Sequence, residues 1–308
     1  MSLQDRRIWR NGRLVPSAEV TVHVLSQSIQ RGTLVFDVMP IYWLPRGPAI
    51  LGLDEHVLRF RQSMELAGMK PPYDTAGLRA GIAEAVRANP GSELVKMSAY
   101  YPGVSLDVLP VDPQPDVAIA AFSLGDVIPG GARANAGGPA RLQIAASRKM
   151  PASVLSPQVK IAAAYTHAAL AKQRARAAGF HDVLFLDERG EQLTESSTQS
   201  FFLVADGAVH TAGLDQVLDG ITRRLAIELA RDEGFPVEEG GMPRALLARA
   251  REAFLTGTTT NVWPIAKIDA QELPAPVPGP LTARLVARFA ALVADEDPAF
   301  SKRWLQAL

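Results

Sequence analysis

The 308-residue sequence has no cysteine, which excludes disulfides and thiolate metal sites and points to a reducing, cytoplasmic compartment. Histidine is scarce. The five present, His23, His56, His167, His181 and His210, are not paired at metal-ligand spacing, so no metal site is expected. No stretch approaches the roughly 18 apolar residues of a membrane span. The opening Met-Ser-Leu-Gln-Asp-Arg-Arg-Ile-Trp lacks the apolar core of a secretion signal. Net charge is absent too, because 32 basic residues balance 32 acidic ones. Neither nucleic acid nor a membrane is an expected partner of such a chain. No Gly-x-Ser-x-Gly elbow occurs, which leaves serine hydrolysis without support.

What is present is ordinary globular material, 47% hydrophobic and 21% charged, long enough for two domains. Asn11-Gly12 predicts a hairpin over Ile8 to Val15. Pro45-Arg46-Gly47 separates strands at Leu34 to Trp43 and Ala49 to Leu53. Asp54 is placed to cap a helix from Glu55 to Ala67, with Val57, Leu58, Met64, Leu66 and Ala67 as its apolar positions. Asp74 is placed to cap a second helix, stopped by Asn89-Pro90-Gly91. Strands follow at Leu94 to Tyr101 and Val117 to Phe122.

Gly125 to Ala140 is rich in glycine and proline, the chemistry of a linker. The expected division is a smaller N-terminal domain over 1–124, an interdomain loop over 125–140 and a larger C-terminal domain over 141–308. The second domain should hold strands at Leu142 to Ser147 and Val183 to Asp187 and a hairpin around Asp206-Gly207. Its helices should lie at Ala168 to Ala178, Thr222 to Glu233, Arg244 to Arg251 and Leu281 to Ala294. No sustained strand-helix-strand rhythm runs through these elements, so two α+β domains are expected, not one doubly wound sheet.

Lys160 is the only charge in Leu155 to Tyr165, followed by Ile161, three alanines and Tyr165. A desolvated lysine loses its proton more readily, and a neutral tethered amine is what condensation with an aldehyde cofactor requires. A surface lysine beginning a helix is the plainer alternative. Glu195 stands among the hydroxyls of Thr194, Ser196, Ser197 and Thr198, just before the apolar Phe201-Phe202. It is either a loop glutamate or a carboxylate held ionised by those hydroxyls, able to keep a ring nitrogen protonated. Gly220-Ile221-Thr222 opens a helix, which suits an anion or simple capping. Thr256 to Asn261 offers hydroxyls and amides at a glycine turn, for phosphate or carboxylate. Arg59 is explained by a surface pair with Glu55 or by a phosphate clamp.

In order and spacing, these stretches resemble the class IV (fold-type IV) pyridoxal-phosphate aminotransferases, which include branched-chain and D-amino-acid enzymes. The resemblance runs from about Arg31 to Ala291. Asp54-Glu55-His56 through Arg59 and Ser63 is similar to the family's Glu-His-x-x-Arg helix, and Lys160 with Tyr165 to its Lys-x-x-x-x-Tyr. Glu195 through Phe202, Gly220 through Arg223 and Thr256 through Thr258 are similar to three further blocks. The resemblance implies that Lys160 carries pyridoxal 5′-phosphate, Glu195 faces the pyridinium nitrogen and Tyr165 bonds the phenolic oxygen. It gives the phosphate to Arg59, Ile221, Thr222 and Thr258, with Gly220 at the helix start, and the substrate carboxylate to Thr259 and Thr260. Phe36, Lys96 and Tyr100 are the remaining pocket candidates, with the register of Lys96 left open. The resemblance also implies a homodimer.

Four stretches depart from the family pattern. Gln30-Arg31-Gly32 stands for His-Tyr-Gly, Phe36-Asp37-Val38 for Phe-Glu-Gly, Ser196 for glycine, and Gln199-Ser200 for Glu-Asn. They touch the substrate pocket more than the cofactor set. The expected function is a transaminase moving an amino group from a branched-chain-like amino acid to a 2-oxo acid. A D-amino-acid or (R)-amine transaminase, an aminodeoxychorismate lyase and a non-catalytic relative are the alternatives.

Overall fold

The computed structural model describes residues 3–131 and 133–308. Ala132, in the expected interdomain loop, and Met1 and Ser2, in the expected first domain, lie outside the described residues. The first elements are β1 (Arg7–Arg10), β2 (Arg13–Pro16), α1 (Gln27–Arg31), β3 (Val35–Leu44), β4 (Gly47–Leu51), α2 (Leu53–Leu66), α3 (Thr75–Ala88), β5 (Leu94–Tyr100), β6 (Asp116–Phe122) and α4 (Leu124–Val127). Next come β7 (Ala140–Ile144), α5 (Ala162–Ala177), β8 (Asp182–Leu186), β9 (Leu193–Ser196), β10 (Ser200–Ala205), β11 (Ala208–Ala212) and α6 (Ile221–Asp232). The chain finishes with β12 (Val237–Gly240), β13 (Glu252–Gly257), β14 (Asn261–Ile268), β15 (Gln271–Glu272), α7 (Pro280–Val293), α8 (Pro298–Trp304) and β16 (Leu305–Ala307).

Two compact units result. The first gathers Met1–Arg133, Val159–Ala163 and Leu292–Leu308, and the second Ala134–Gln158 and Ala164–Ala291. The first unit holds a seven-stranded antiparallel sheet in the order β16-β4-β3-β5-β6-β1-β2. Asn11 and Gly12 both take positive φ, +48° and +87°, which is the two-residue turn whose twist suits a hairpin. Val57, Phe60 and Met64 of α2 and Leu78, Ile82 and Val86 of α3 are fully buried. Asp74 caps α3 by accepting the Gly77 N–H at 2.7 Å.

Asp54 does not cap α2. Gly52 takes that place in a left-handed conformation, and Asp54, inside the first turn, bonds Arg79 and Gln306 instead. Leu58 and Leu66 are not core positions either, being 57% and 49% exposed. The core-facing stripe of α2 carries three polar side chains in their stead, His56, Arg59 and Ser63.

The second unit holds a nine-stranded mixed sheet in the order β12-β11-β10-β13-β14-β7-β8-β9, with β15 on β14. Because β9 also meets β10, six strands close on themselves. Leu142, Leu184, Leu186, Phe201, Leu203 and Leu255 fill the resulting core. The strands β8, β10 and β11 are buried along their whole length, which explains their near-continuous apolar runs. Helix α5 starts at Ala162, earlier than its alanine run suggests, and Arg244–Arg249 forms a 3₁₀ stretch, not an α-helix. The two units are α+β in composition, as expected. Among the described residues, no helix is long and apolar enough to cross a membrane.

One buried carboxylate anchors α7. Glu252, on β13, accepts the Leu281 N–H at 3.0 Å and the Thr282 N–H at 2.7 Å, satisfying two first-turn amides next to the positive end of the helix. We predict that Glu252→Ala lowers stability by about 1–2 kcal/mol, read as a reduced urea midpoint at unchanged slope.

Candidate active site

Lys160 belongs to the short Val159–Ala163 stretch of the first unit. Hydrogen bonds fix the path of that stretch. Phe36 N–H donates to Lys160 O at 3.0 Å, Ala162 N–H to Leu34 O at 2.8 Å and Ala163 N–H to Gly32 O at 3.0 Å. From the helix side, Ser63 Oγ accepts the Lys160 N–H at 3.1 Å. Gly32 is needed here: its φ is +68°, and a Cβ would lie 3.3 Å from that of Ala163. That accounts for the glycine kept in Gln30-Arg31-Gly32.

The register of β5 on β3 is explicit. Ser98 lies opposite Phe36 and Lys96 opposite Val38, so alternation puts Phe36, Val38, Lys96 and Tyr100 on one face. Lys96 Nζ lies 5.0 Å and Lys160 Nζ 4.9 Å from the centroid of the Phe36 ring, so one aromatic ring meets two amines. Burial, and then the charge of Lys160, push the Lys96 ammonium below its ordinary pKa. Tyr100 sits one pleat beyond Ser98, on the rung of Asp116, with a buried hydroxyl that has no hydrogen-bond partner among the described residues.

On the opposite face of β3, Asp37 is completely buried against α2. Arg59 grips it at two points, Nε to Oδ2 and the terminal nitrogen to Oδ1, both at 2.8 Å. His56 Nδ1 lies 2.7 Å from Oδ1, and the Val38 N–H donates to the same oxygen at 2.8 Å. Arg59 is thus drawn into the protein, with a side chain 10% exposed, and the surface pair with Glu55 is not its setting. Burial, the largest influence on Asp37, pushes its carboxyl up, yet Arg59 and His56 together hold it well below the usual carboxylate range. Burial pushes His56 down from 6.5 despite Asp37, whose charge Arg59 already balances.

The second unit carries the remaining candidates. Tyr165 lies half-buried in the first turn of α5. Glu195 is on strand β9, not in a loop, and is directly opposite Ser200, which is opposite Thr256. One rung therefore aligns the acid, a hydroxyl of β10 and a hydroxyl at the end of β13. Gly220 closes on the same rung: a Cβ there would stand 2.8 Å from Ser200 Oγ. Gly220 caps α6 without any side-chain hydrogen bond, and the first intrahelical bond runs from Arg224 N–H to Gly220 O at 2.9 Å. The amides of Ile221, Thr222 and Arg223 precede that bond, as at any helix start. Arg223, buried, ties the helix start to β11 and β12 through Ala212 O at 2.8 Å and Glu239 at 3.1 Å.

The turn Thr258 to Thr260 follows β13. A Cβ on Gly257 would meet Gln199 at 3.1 Å, so the turns after β9 and β13 abut. Lys149 Nζ pairs with the Glu195 carboxylate. Asp37, Ser63, Lys149 and Ser200 touch or face candidate residues, and motif spacing assigns them no role. The spacing His56-x-x-Arg59-x-x-x-Ser63 marks a polar helix stripe and could have exposed one of them. No local signal links Lys149 to a glutamate 46 residues away.

The family model of amino-transferase class IV matches residues 34–268. The chain belongs to that family. The branched-chain-amino-acid aminotransferase of Pseudomonas aeruginosa is 30% identical over 305 residues, covering 98% of each chain. The T.th. branched-chain amino acid aminotransferase complexed with N-(5′-phosphopyridoxyl)-L-glutamate matches with a TM-score of 0.88 at 32% identity over 99% of each chain. The branched-chain aminotransferase of Thermoproteus uzoniensis with norvaline matches with a TM-score of 0.88 at 29% identity, over 98% of each. Class IV aminotransferases use pyridoxal phosphate, and the geometry fits such a group. Thr256 Oγ1, Thr260 Oγ1 and Gln199 Oε1 are buried without a hydrogen-bond partner among the described residues. Each would cost about 1–3 kcal/mol if left so, and a polar ligand at this sheet end would satisfy them.

Stability should follow the Asp37 cluster with pH. The folded pKa of His56 lies below 6.5, so the unfolded chain binds its proton first as pH falls. The contribution is present above about 6.5 and is lost below it, whereas that of the depressed Asp37 persists until strongly acidic pH. We predict that the wild type loses more stability than His56→Gln between pH 7 and 5, by at most about 1.4 kcal/mol per pH unit. Urea titrations across that range check it, and parallel slopes would remove His56 as the titrating group.

Proposed function

We propose that this aminotransferase moves an amino group from a branched-chain-like L-amino acid to a 2-oxo acid, with 2-oxoglutarate as acceptor, by a ping-pong route. The named activities of the relatives support the donor class, and the glutamate adduct of the T.th. enzyme supports the acceptor. The observation that carries the reading is the Glu195–Ser200–Thr256 rung with Gly220 against it, which gathers an acid, a helix start and a hydroxyl turn at one sheet end.

Bound pyridoxal phosphate supplies an aldehyde carbon that condenses with amines and a cationic ring that draws electrons from the substrate Cα. Lys160 would hold the cofactor through its amine and, once displaced by substrate, move the proton between Cα and C4′. Its backbone anchors on β3 and Ser63 leave the side chain as the moving part. Glu195 would accept the hydrogen bond of the ring nitrogen and keep that nitrogen protonated. Tyr165 would donate to the phenolic oxygen. Arg59, the amides of Ile221 and Thr222, and Thr258 would hold the phosphate, with Gly220 permitting close approach. Thr259 and Thr260 would orient the substrate carboxylate, and Phe36, Lys96 and Tyr100 would line the pocket. On the same reading, 125–140 is the interdomain loop between 1–124 and 141–308 of a homodimeric, cytoplasmic enzyme.

We expect purified protein to be yellow, with borohydride fixing the chromophore to Lys160 and Lys160→Ala abolishing it. Half-reactions with L-leucine and L-valine should convert the cofactor spectrum, whereas turnover of only D-alanine or an (R)-amine would reverse the assigned donor. Glu195→Gln should retain cofactor and lose turnover by roughly a hundredfold or more. An unchanged rate would take Glu195 out of the mechanism.

A further inference from the structure

The two-point grip of Asp37 on Arg59 has a functional consequence that the charge of either residue does not supply. Asp37 engages one edge of the guanidinium, through Nε and one terminal nitrogen, and its carboxylate is itself held from both sides. Oδ1 receives the Val38 N–H from β3 and faces His56 Nδ1 from α2, at 2.8 and 2.7 Å. A guanidinium held edge-on in this way cannot rotate about its last torsions without breaking two charge-assisted bonds, so its opposite edge points in one direction. Asp37 and Arg59 cancel in charge, which leaves direction as what the cluster adds.

We propose that Asp37, held by His56, is a positioning residue that aims Arg59 at the phosphate of the cofactor. The proposal rests on the reading that Arg59 is a phosphate ligand. Charge and direction make opposite predictions. If only charge mattered, removing an anion from beside Arg59 would tighten the hold on a phosphate dianion. If Asp37 aims the fork, the same change weakens that hold and spares a ligand without the phosphate.

The test compares the dissociation constants of pyridoxal phosphate and pyridoxal for apoenzyme, by absorbance titration, in wild type, Asp37→Asn, Arg59→Ala and the double variant. Asp37→Asn should weaken pyridoxal phosphate by about tenfold or more and pyridoxal by less than about threefold. In the Arg59→Ala background, Asp37→Asn should add almost nothing, because its effect passes through Arg59. Tighter or unchanged pyridoxal phosphate binding, equal weakening of both ligands, or additive effects in the double variant would overturn the proposal. Should Asp37→Asn fail to fold, His56→Gln keeps the ion pair and removes the imidazole nitrogen that faces Oδ1 at 2.7 Å and the Arg59 terminal nitrogen at 3.4 Å. It should show the same selective loss, by about threefold, and full preference in that variant would be equally fatal. Wild type that binds both ligands alike would instead remove Arg59 from the phosphate, and the functional reading with it.

Discussion

The hydrogen bond from the Lys160 amide to Ser63 Oγ, together with that from Phe36 N–H to Lys160 O, is the constraint that fixes the path of Lys160 in the first unit. A lysine side chain has four rotatable bonds and is a poor positioning device by itself. Fixing its backbone between a strand and a helix restricts where the amine can travel. The same two elements supply its surroundings, since β3 brings Phe36 and Asp37 and α2 brings Arg59 and Ser63. One strand with alternating faces thus separates two tasks. Phe36 meets the amines on one side, and Asp37 grips the guanidinium on the other.

In the second unit the comparable constraint is register. Pairing Glu195 with Ser200 and Ser200 with Thr256 places three chemically different groups on one rung, though they lie far apart in sequence. A slip of one residue in β10 would turn Ser200 into the barrel and bring Phe201 to the rung. Packing on both faces of β10 opposes that slip, because Phe201 and Leu203 lie in the core with Leu142 and Leu255 while Phe202 stacks on Phe254, and a slip would exchange the two faces. Precision in the polar site is therefore maintained by apolar packing behind it.

Much of this was legible in the sequence wherever the signal was local. Asn11-Gly12 and Asp206-Gly207 specify their hairpins through positive φ, and Asp74 caps its helix three residues ahead of Gly77. The ordered blocks around Arg59, Lys160, Glu195, Gly220 and Thr256 pointed to the family that the chain belongs to. What escaped was tertiary. Leu58 and Leu66 look like core on a helical wheel, but the buried face of α2 is mixed, with His56, Arg59 and Ser63 beside Val57, Phe60 and Met64. Nothing in Leu305–Ala307 marks a strand, since three residues acquire that state only by pairing with β4. Asp37 stood out as a departure from a motif, and its partner became evident only when α2 was placed on β3.

Four of the charged side chains described above share one further property. Arg59 has Asp37, Glu195 has Lys149, Arg223 has Glu239 and Arg224 has Asp219, each pair within its own unit. A buried charge without a counter-ion costs several kcal/mol, so a site built from lone ions would destabilise the empty protein. Internal pairing offsets that cost before any ligand arrives. It also leaves each of these pairs close to neutral. Attraction by net charge is then a weak basis for holding a phosphate. On the roles proposed above, the number and direction of donors would supply the affinity, as at the amides opening α6 and the hydroxyls after β13. Donors of this kind favour a ligand of matching shape over any anion of equal charge, because a misaligned donor whose charge is already paired has little compensating Coulomb gain.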